Sequence, residues 1–420
     1  MIIIVATFVI TLICVFFVIN LSFGNKPIDA RIETLYTVAD PQFLRAMGHL
    51  LGPPVIEGNR VQTLLNGDEI FPSMLEAIRG AQKTVTFETF IYWSGTIGKE
   101  FAEALSERAR ANVRVHVMLD WLGCSDIDEA YVKQMKRAGV EVYRYNPLRW
   151  YTLDRMNNRT HRKLLVIDGK VGFTGGVGIA IQWTGNAQDK AHWRDTHFRI
   201  EGPAVAQLQS AFIDNWVQVC GQVLHSAAYF PPLEPAGEYT AQVFKSSPGG
   251  GAESVQLMYL LSIAAAKTSV QLSMSYFVPD KVAINTLVAA QKRGVRIQMI
   301  VPGPYIDRKV LRYASRFAWG ALLQAGIEIY EYQPTMFHCK VMIVDALWTS
   351  VGSTNFDSRS FSLNDEANLN IYSAEFARIQ ARIFEQDLCN SRCITLEEWQ
   401  NRPWKNKIRD SLAGLFSPQL

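Results

Sequence analysis

The chain has 420 residues, 48% of them hydrophobic and 19% charged, with 42 Lys and Arg against 39 Asp and Glu and a formal net charge of +3. That balance excludes a disordered chain and a strongly nucleic-acid-like polyelectrolyte. The length excludes a small stapled scaffold and allows two or three domains, each with its own core. Six cysteines (Cys14, Cys124, Cys220, Cys339, Cys389 and Cys393) are scattered without a CxxC pair. Neither a disulfide framework nor a zinc ribbon is indicated, and a reducing compartment is the easier reading.

The first element is an uncharged stretch from Met1 to Asn25, in which only Thr7, Thr11 and Cys14 interrupt the apolar run 2–19. As a helix that run spans roughly 27 Å, enough to cross a bilayer. A cleaved signal peptide would begin with a basic region and end at a small-residue site, and neither is present. Residues 1–24 are therefore expected to form an uncleaved transmembrane anchor, with a linker over 25–58. Lys26 and Arg31 follow the span and nothing basic precedes it, so the positive-inside rule puts the remainder in the cytoplasm.

Further along, the chain repeats itself. AIRGAQKTVTFETFIYW (77–93) pairs with SIAAAKTSVQLSMSYFV (262–278), ALSERARANVRVHVMLD (104–120) with TLVAAQKRGVRIQMIVP (286–302), and MKRAGVEVYRYNP (135–147) with LLQAGIEIYEYQP (322–334). Each unit reads as helix, tight turn and strand, which predicts two α/β domains of similar fold with largely buried sheets. The expected extents are 59–225 and 241–395, with a connector at 226–240 and an amphipathic tail at 396–420. In that tail Trp404, Ile408, Leu412 and Leu415 recur at helical spacing beside Lys405, Lys407 and Arg409, which describes an interfacial helix or a core-docked one.

Both copies run into one short motif, HRKLLVIDGKVGFTGG (161–176) and HCKVMIVDALWTSVGS (338–353), each of the form H-x-K-x-x-x-x-D. A single chance match has an expectation on the order of 0.01; two at equivalent places in a repeat are no coincidence. The motif supplies six candidate catalytic positions: His161, Lys163 and Asp168, then His338, Lys340 and Asp345. On a strand the His and Lys share a face, while the Asp, seven residues from the His, points to the other. The aspartates are thus better read as structural carboxylates. Lysine suits neutralisation of phosphoryl oxygens, and histidine suits nucleophilic attack or proton carriage near neutral pH.

The duplicated motif, each copy followed by a Gly-rich turn, resembles the phospholipase D superfamily from Arg60 to about Phe384. ETFIYW (88–93), VMLDWLG (117–123), WRDTHFRIEGP (193–203) and VGSTNFDSRSFSLNDEAN (351–368) look like bacterial cardiolipin synthases. The resemblance implies that His161 and His338 meet at the domain interface, one attacking phosphorus to form a phosphohistidine and the other protonating the leaving alcohol. It implies that Lys163, Lys340 and Asn355 hold phosphoryl oxygens, and that Asp195 and Glu366 orient the histidines. Phosphate contacts are expected from Gly175, Gly176, Ser353 and Asn355. The asparagine expected in the first copy is Gly178, so backbone N–H groups of 175–178 are expected to substitute.

His116, in an alternating strand, is expected to be a packed histidine, whereas His192 and His197 flank Asp195 at a possible site mouth. Arg144, Arg149, Arg155, Arg159 and Arg162 read either as a solvated loop or as a surface for anionic lipid headgroups. Cys389 and Cys393 are expected to be ordinary thiols. No HExxH, Walker loop or two-metal carboxylate cluster occurs, so a mechanism without metal or cofactor is expected. The implied reaction converts two phosphatidylglycerols to cardiolipin and glycerol at a bacterial inner membrane. The alternatives are a phospholipase D using water, a membrane-tethered nuclease, which the small net charge disfavours, and a lipid-binding scaffold with a dead site.

Overall fold

The computed structural model describes residues 2–22, 28, 32–148, 157–248 and 252–417. The first repeat contributes β1 (Ile56–Leu65), β2 (Thr84–Thr89), β3 (Arg114–Asp120), β4 (Glu141–Tyr145), β5 (Arg159–Thr160), β6 (Leu164–Ile167), β7 (Val171–Gly175) and β8 (Thr196–Glu201). The second contributes β9 (Tyr239–Ser246), β10 (Ser269–Met274), β11 (Phe277–Val278), β12 (Arg296–Pro302), β13 (Glu328–Tyr332), β14 (Lys340–Val344), β15 (Trp348–Gly352), β16 (Phe356–Asp357), β17 (Asn364–Tyr372) and β18 (Ser391–Ile394). The spatial order β4-β3-β2-β6-β7-β8-β1 is repeated as β13-β12-β10-β14-β15-β17-β9, with β18 added outside β13. The two halves join edge to edge where β1 pairs antiparallel with β9 through an irregular register, so the sheet is continuous.

The strands read as they do because helices cover both faces. TVTFET in β2 is buried at every position, and β3 at every position but its first, the pattern of strands sandwiched between helices. Each half has its own apolar core. A third core joins them: Met118, Phe198 and Trp216 of the first half pack in one cluster with Phe337, Leu369 and Phe376 of the second.

The stretch expected as a linker is structured from residue 38 onward. Asp40 caps the helix Pro41–Leu50 by accepting from the Gln42 N–H, and Val38, Phe43, Met47 and Leu51 pack into the second half, with Phe43 edge-on to Trp348 at 6.0 Å. A helix covers Ile2–Ser22, where the anchor is expected. Among the described residues no helix is long and apolar enough to cross a membrane, and the side chains of 16–22 lie outside those described.

In the tail, the helix Trp404–Gly414 docks on the helix Lys309–Gln324. Asp410 and Ala413 are buried in this contact, Arg402 Nε donates to Asp410 at 2.8 Å, and Gly414 lies so close to Phe317 that a Cβ would approach the ring to 2.4 Å. The helix therefore packs through its polar and small residues. Trp404, Ile408, Leu412 and Leu415 all stay exposed.

Candidate active site

The lead-in to β6 brings His161 and Lys163 to the boundary between the halves, and the lead-in to β14 brings His338, with Lys340 as the first residue of that strand. Each His-bearing segment is tied to the opposite half through the backbone. β5 runs parallel to the start of β17, and the His161 N–H donates to Asp365 O at 2.9 Å; Arg194 bridges Phe337, and the His338 N–H donates to Arg194 O at 2.7 Å. Consequently each histidine meets an acid from the other repeat. His161 Nδ1 lies 3.0 Å from both Glu366 carboxylate oxygens, and His338 Nδ1 lies 2.7 Å from Asp195 Oδ2. With Nδ1 so engaged, Nε2 of each ring is the nitrogen left to act.

The acids are themselves held. Ser353 Oγ donates to Glu366 Oε2 at 2.5 Å, while Asp195 accepts from Trp183 Nε1 at 2.8 Å and from the Thr196 N–H at 2.8 Å. At Gly176, the counterpart of Ser353, a Cβ would stand 2.2 Å from Asp195 Oδ1, so glycine makes room for the carboxylate. Burial alone would raise both carboxyls, but His338 and Lys340 hold Asp195, and His161 and Lys163 hold Glu366, below the usual range. Burial lowers His161 to about 4 against the pull of Glu366, and lowers Lys163 to about 7, with Lys340 adding to the effect. His338 is lowered by burial and by Lys340, and Lys340 by burial. At neutral pH His161 is thus an unprotonated base.

Lys163 Nζ donates to His161 O at 2.8 Å, and Lys340 Nζ donates to His338 O at 2.7 Å and to Ser275 Oγ at 2.7 Å. The Ser275 hydroxyl passes on to Asn355 Oδ1 at 2.6 Å. His161, Lys163, His338 and Asn355 line one cleft of about 190 Å³, with Phe90, Trp183 and Trp193 among the aromatic walls.

Asp168 and Asp345 are not in it. Asp168 accepts from the backbone N–H groups of Gln82, Lys83 and Thr84 at 2.7–2.9 Å, and Asp345 from those of Lys267, Thr268 and Ser269 at 2.7–2.9 Å. Each heads the tight turn at the far end of its strand with a positive φ. The motif aspartates therefore pin the preceding helix–strand turn, and distance along the strand removes them from the histidines.

Other expectations need correction. Gly175 belongs to β7, the Gly176 N–H is engaged by Thr196 O at 3.1 Å, Gly178 abuts Ile91, and none of residues 175–178 lines the cleft. Gly175, Gly176 and Ser353 stand behind the histidines instead of lining the cleft. His192 pairs with Asp189 at 2.8 Å, and His197 is buried with no partner among the described residues on either ring nitrogen; neither lines the cleft. His116 is packed, its Nε2 2.7 Å from the Tyr229 hydroxyl. Of the five arginines, Arg149 and Arg155 lie outside the described residues. Arg144 pairs with Glu129, and Arg162 is fully buried against Ala211 O, Ser246 O and Asp214. Of the three described, Arg159 alone enters the cleft. Sequence reasoning missed Trp183 and Ser275; the aligned repeats set Ser275 opposite Phe90, a signal that one copy had gained a polar site.

The family described as "Cardiolipin synthase, PLD-like domain" matches residues 74–216 and 259–388, spanning both motifs. This chain belongs to that family. A cardiolipin synthase of Geobacillus kaustophilus is 33% identical over 94% of this chain and 80% of its own length, and cardiolipin synthase 2 of Bacillus anthracis is 32% identical over 86% and 70%. In fold, the chain is similar to phosphatidylserine synthase from Haemophilus influenzae (TM-score 0.64, 13% identity, 90% of this chain and 99% of that one). It is also similar to polyphosphate kinase from Porphyromonas gingivalis (TM-score 0.55, 13% identity, 89% and 53%). At such identity these two likenesses concern fold alone. As a cardiolipin synthase family member of the phospholipase D superfamily, the chain is an enzyme.

Proposed function

We propose that this enzyme is a phosphatidyltransferase that joins two phosphatidylglycerols into cardiolipin and releases glycerol. The observation that carries the reading is the crossed arrangement, in which each histidine is oriented by a carboxylate from the opposite repeat within one cleft. His161 Nε2 attacks the phosphorus of the donor lipid while His338, protonated on Nε2, gives its proton to the departing glycerol oxygen. The N–P bond forms as the P–O bond breaks. His338, now neutral, takes the proton from a hydroxyl of the second phosphatidylglycerol, whose oxygen attacks phosphorus and frees His161. Lys163, Lys340 and Asn355 stabilise the non-bridging oxygens as charge builds, while Glu366 and Asp195 keep the rings in the working tautomer.

His161 is assigned as nucleophile because Glu366 fixes its Nδ1 proton and Lys163 donates to His161 O, whereas Lys340 Nζ crowds His338 Nε2 at 3.3 Å. Membrane association belongs to the same proposal: residues 2–22 as a single anchor in a bacterial inner membrane, with the two phospholipase D-like halves on the cytoplasmic side. The test is to incubate the detergent-solubilised chain with labelled phosphatidylglycerol and resolve the products. Cardiolipin and glycerol in equal amounts are expected. Phosphatidic acid alone would make water the acceptor, and DNA cleavage without lipid turnover would overturn the lipid reading.

A further inference from the structure

Transfer between two lipids needs a place for two phosphodiesters, and the histidine–lysine centre accommodates only the one under attack. The same cleft holds a second set of cations, Arg159 and Arg359, with Arg308 exposed at its rim. Arg159 is the first residue of β5, two before His161, and Arg359 lies in the short helix Ser358–Ser362 that follows Asn355.

The hydrogen bonds of both guanidiniums go to neutral groups. Arg359 Nη1 donates to Asn157 Oδ1 at 2.9 Å and Nη2 to Asn157 O at 3.1 Å. Arg159 Nε donates to Asn158 O at 2.6 Å and Nη2 to Asn146 O at 3.0 Å. These contacts fix orientation without cancelling charge. Among the described residues no carboxylate forms an ion pair with Arg359; Asp357 and Asp120 act on it through space, and Asp357 is itself raised to about 7 by burial. Arg159 does face Asp120 at 3.5 Å, but that carboxylate also accepts from the Leu122, Gly123 and Thr160 N–H groups. Arg359, a largely buried guanidinium held by amides and without an ion-paired carboxylate among the described residues, is a site awaiting an anion, with Arg159 in the same cleft, and its planar donors match phosphate oxygens.

We propose that Arg159 and Arg359 form a second anion site, which binds the phosphodiester of the acceptor lipid and presents its glycerol hydroxyl to the phosphohistidine. The inference rests on the phosphatidyl-transfer reading above. It makes the enzyme selective for an anionic acceptor over an uncharged alcohol or water.

The test compares two rates of the full-length enzyme in mixed micelles. One is cardiolipin formation, whose acceptor is charged; the other is exchange of labelled glycerol into phosphatidylglycerol, whose acceptor is not. Both draw on the same phosphatidyl-enzyme. In Arg359→Gln the ratio of the first rate to the second is expected to fall about tenfold or more, as for loss of a charge-assisted contact, and Arg359→Lys to recover part of it. An unchanged ratio in both variants, whether or not the separate rates fall, would overturn the acceptor site. Failure of the parent enzyme to make any cardiolipin would instead overturn the phosphatidyl-transfer reading.

Discussion

In the second half Lys340 donates to Ser275, and Ser275 donates to Asn355. In the first, Phe90 and Gly178 occupy the matching positions, and Lys163 has the Phe90 ring 5.7 Å away and, among the described residues, a single hydrogen bond, to His161 O. The acids differ in the same sense, Glu366 being held by a serine hydroxyl and Asp195 by an indole N–H and a glycine-made space. Duplication thus supplied two equal frames and divergence made their contents unequal: one lysine sits in a polar network and the other against an aromatic face. That inequality suits a reaction in which the two histidines do different work.

The sharpest way to break the comparison is to remove each histidine. His161→Ala is expected to lower turnover by about 10⁴-fold or more and to abolish trapping of labelled phosphate on the protein, whereas His338→Ala is expected to lose turnover but still accumulate some adduct. Adduct in His161→Ala and none in His338→Ala would exchange the roles. Next come the crossed acids. Glu366→Gln is expected to slow formation of the adduct, and Asp195→Asn both its formation and its resolution, each by about 100-fold or more, because a neutral amide neither fixes the tautomer nor steadies an imidazolium. Single-turnover kinetics separate the two steps, and a reversed pattern would show that each acid serves its own repeat.

Much of this was legible in the sequence. The repeat is visible because helix–turn–strand units keep their periodicity, and the two motifs because chance does not place His and Lys two apart twice at matching points. Strand parity also set the aspartates apart from the histidines, but His161 and His338 lie ahead of β6 and β14, so distance along the chain is what keeps the aspartates out of the site, and their station at the turn before β2 or β10 depends on tertiary contacts. What spacing could not express is the crossing. Nothing local to His161 says that its acid is Glu366, 205 residues away, because that pairing arises only when β5 docks beside β17. Likewise the segment 38–51 is short of obvious partners in sequence and finds its core in the second repeat. Arg159 and Arg359 resemble surface cations until the fold closes over them.

Smaller effects test the scaffold of each half. Asp168→Asn is expected to cost about 3 kcal/mol of stability, since three backbone donors share one carboxylate, with turnover per folded molecule kept; Asp345→Asn should behave alike. Thermal melts alongside active-site titration check this, and equal loss of specific activity in folded samples would bring the aspartates back into the chemistry. His197 offers a pH test confined to the first half. Burial lowers it to about 3 from an ordinary value near 6.5. The unfolded chain therefore binds a proton below about pH 6.5 that the folded chain refuses until about pH 3, and stability falls as pH drops through that window. His197→Gln is expected to be about 2 kcal/mol less acid-sensitive at pH 5 than the parent, relative to pH 7.5. Parallel pH–stability curves for the two proteins would show that His197 does not carry this proton linkage.

The smallest expected effect concerns what the second half has and the first lacks, the terminal helix Trp404–Gly414. Its inner face of Asp410, Ala413 and Gly414 fixes it to the helix that also carries Val310 and Leu311 at the cleft. Its outer stripe of Trp404, Ile408, Leu412 and Leu415 is exposed, beside Lys405 and Lys407. An apolar stripe that a docked helix turns away from the core gains by entering a bilayer interface, and flanking lysines favour an anionic one. Ile408→Ser with Leu412→Ser leaves the docking face untouched. In a chain lacking residues 1–24 this double change is expected to weaken binding to phosphatidylglycerol vesicles by about tenfold, with the residual attachment released by salt. Equal vesicle binding with and without the two substitutions would mean that the stripe does not touch the membrane, and that the second half differs from the first only in its chemistry.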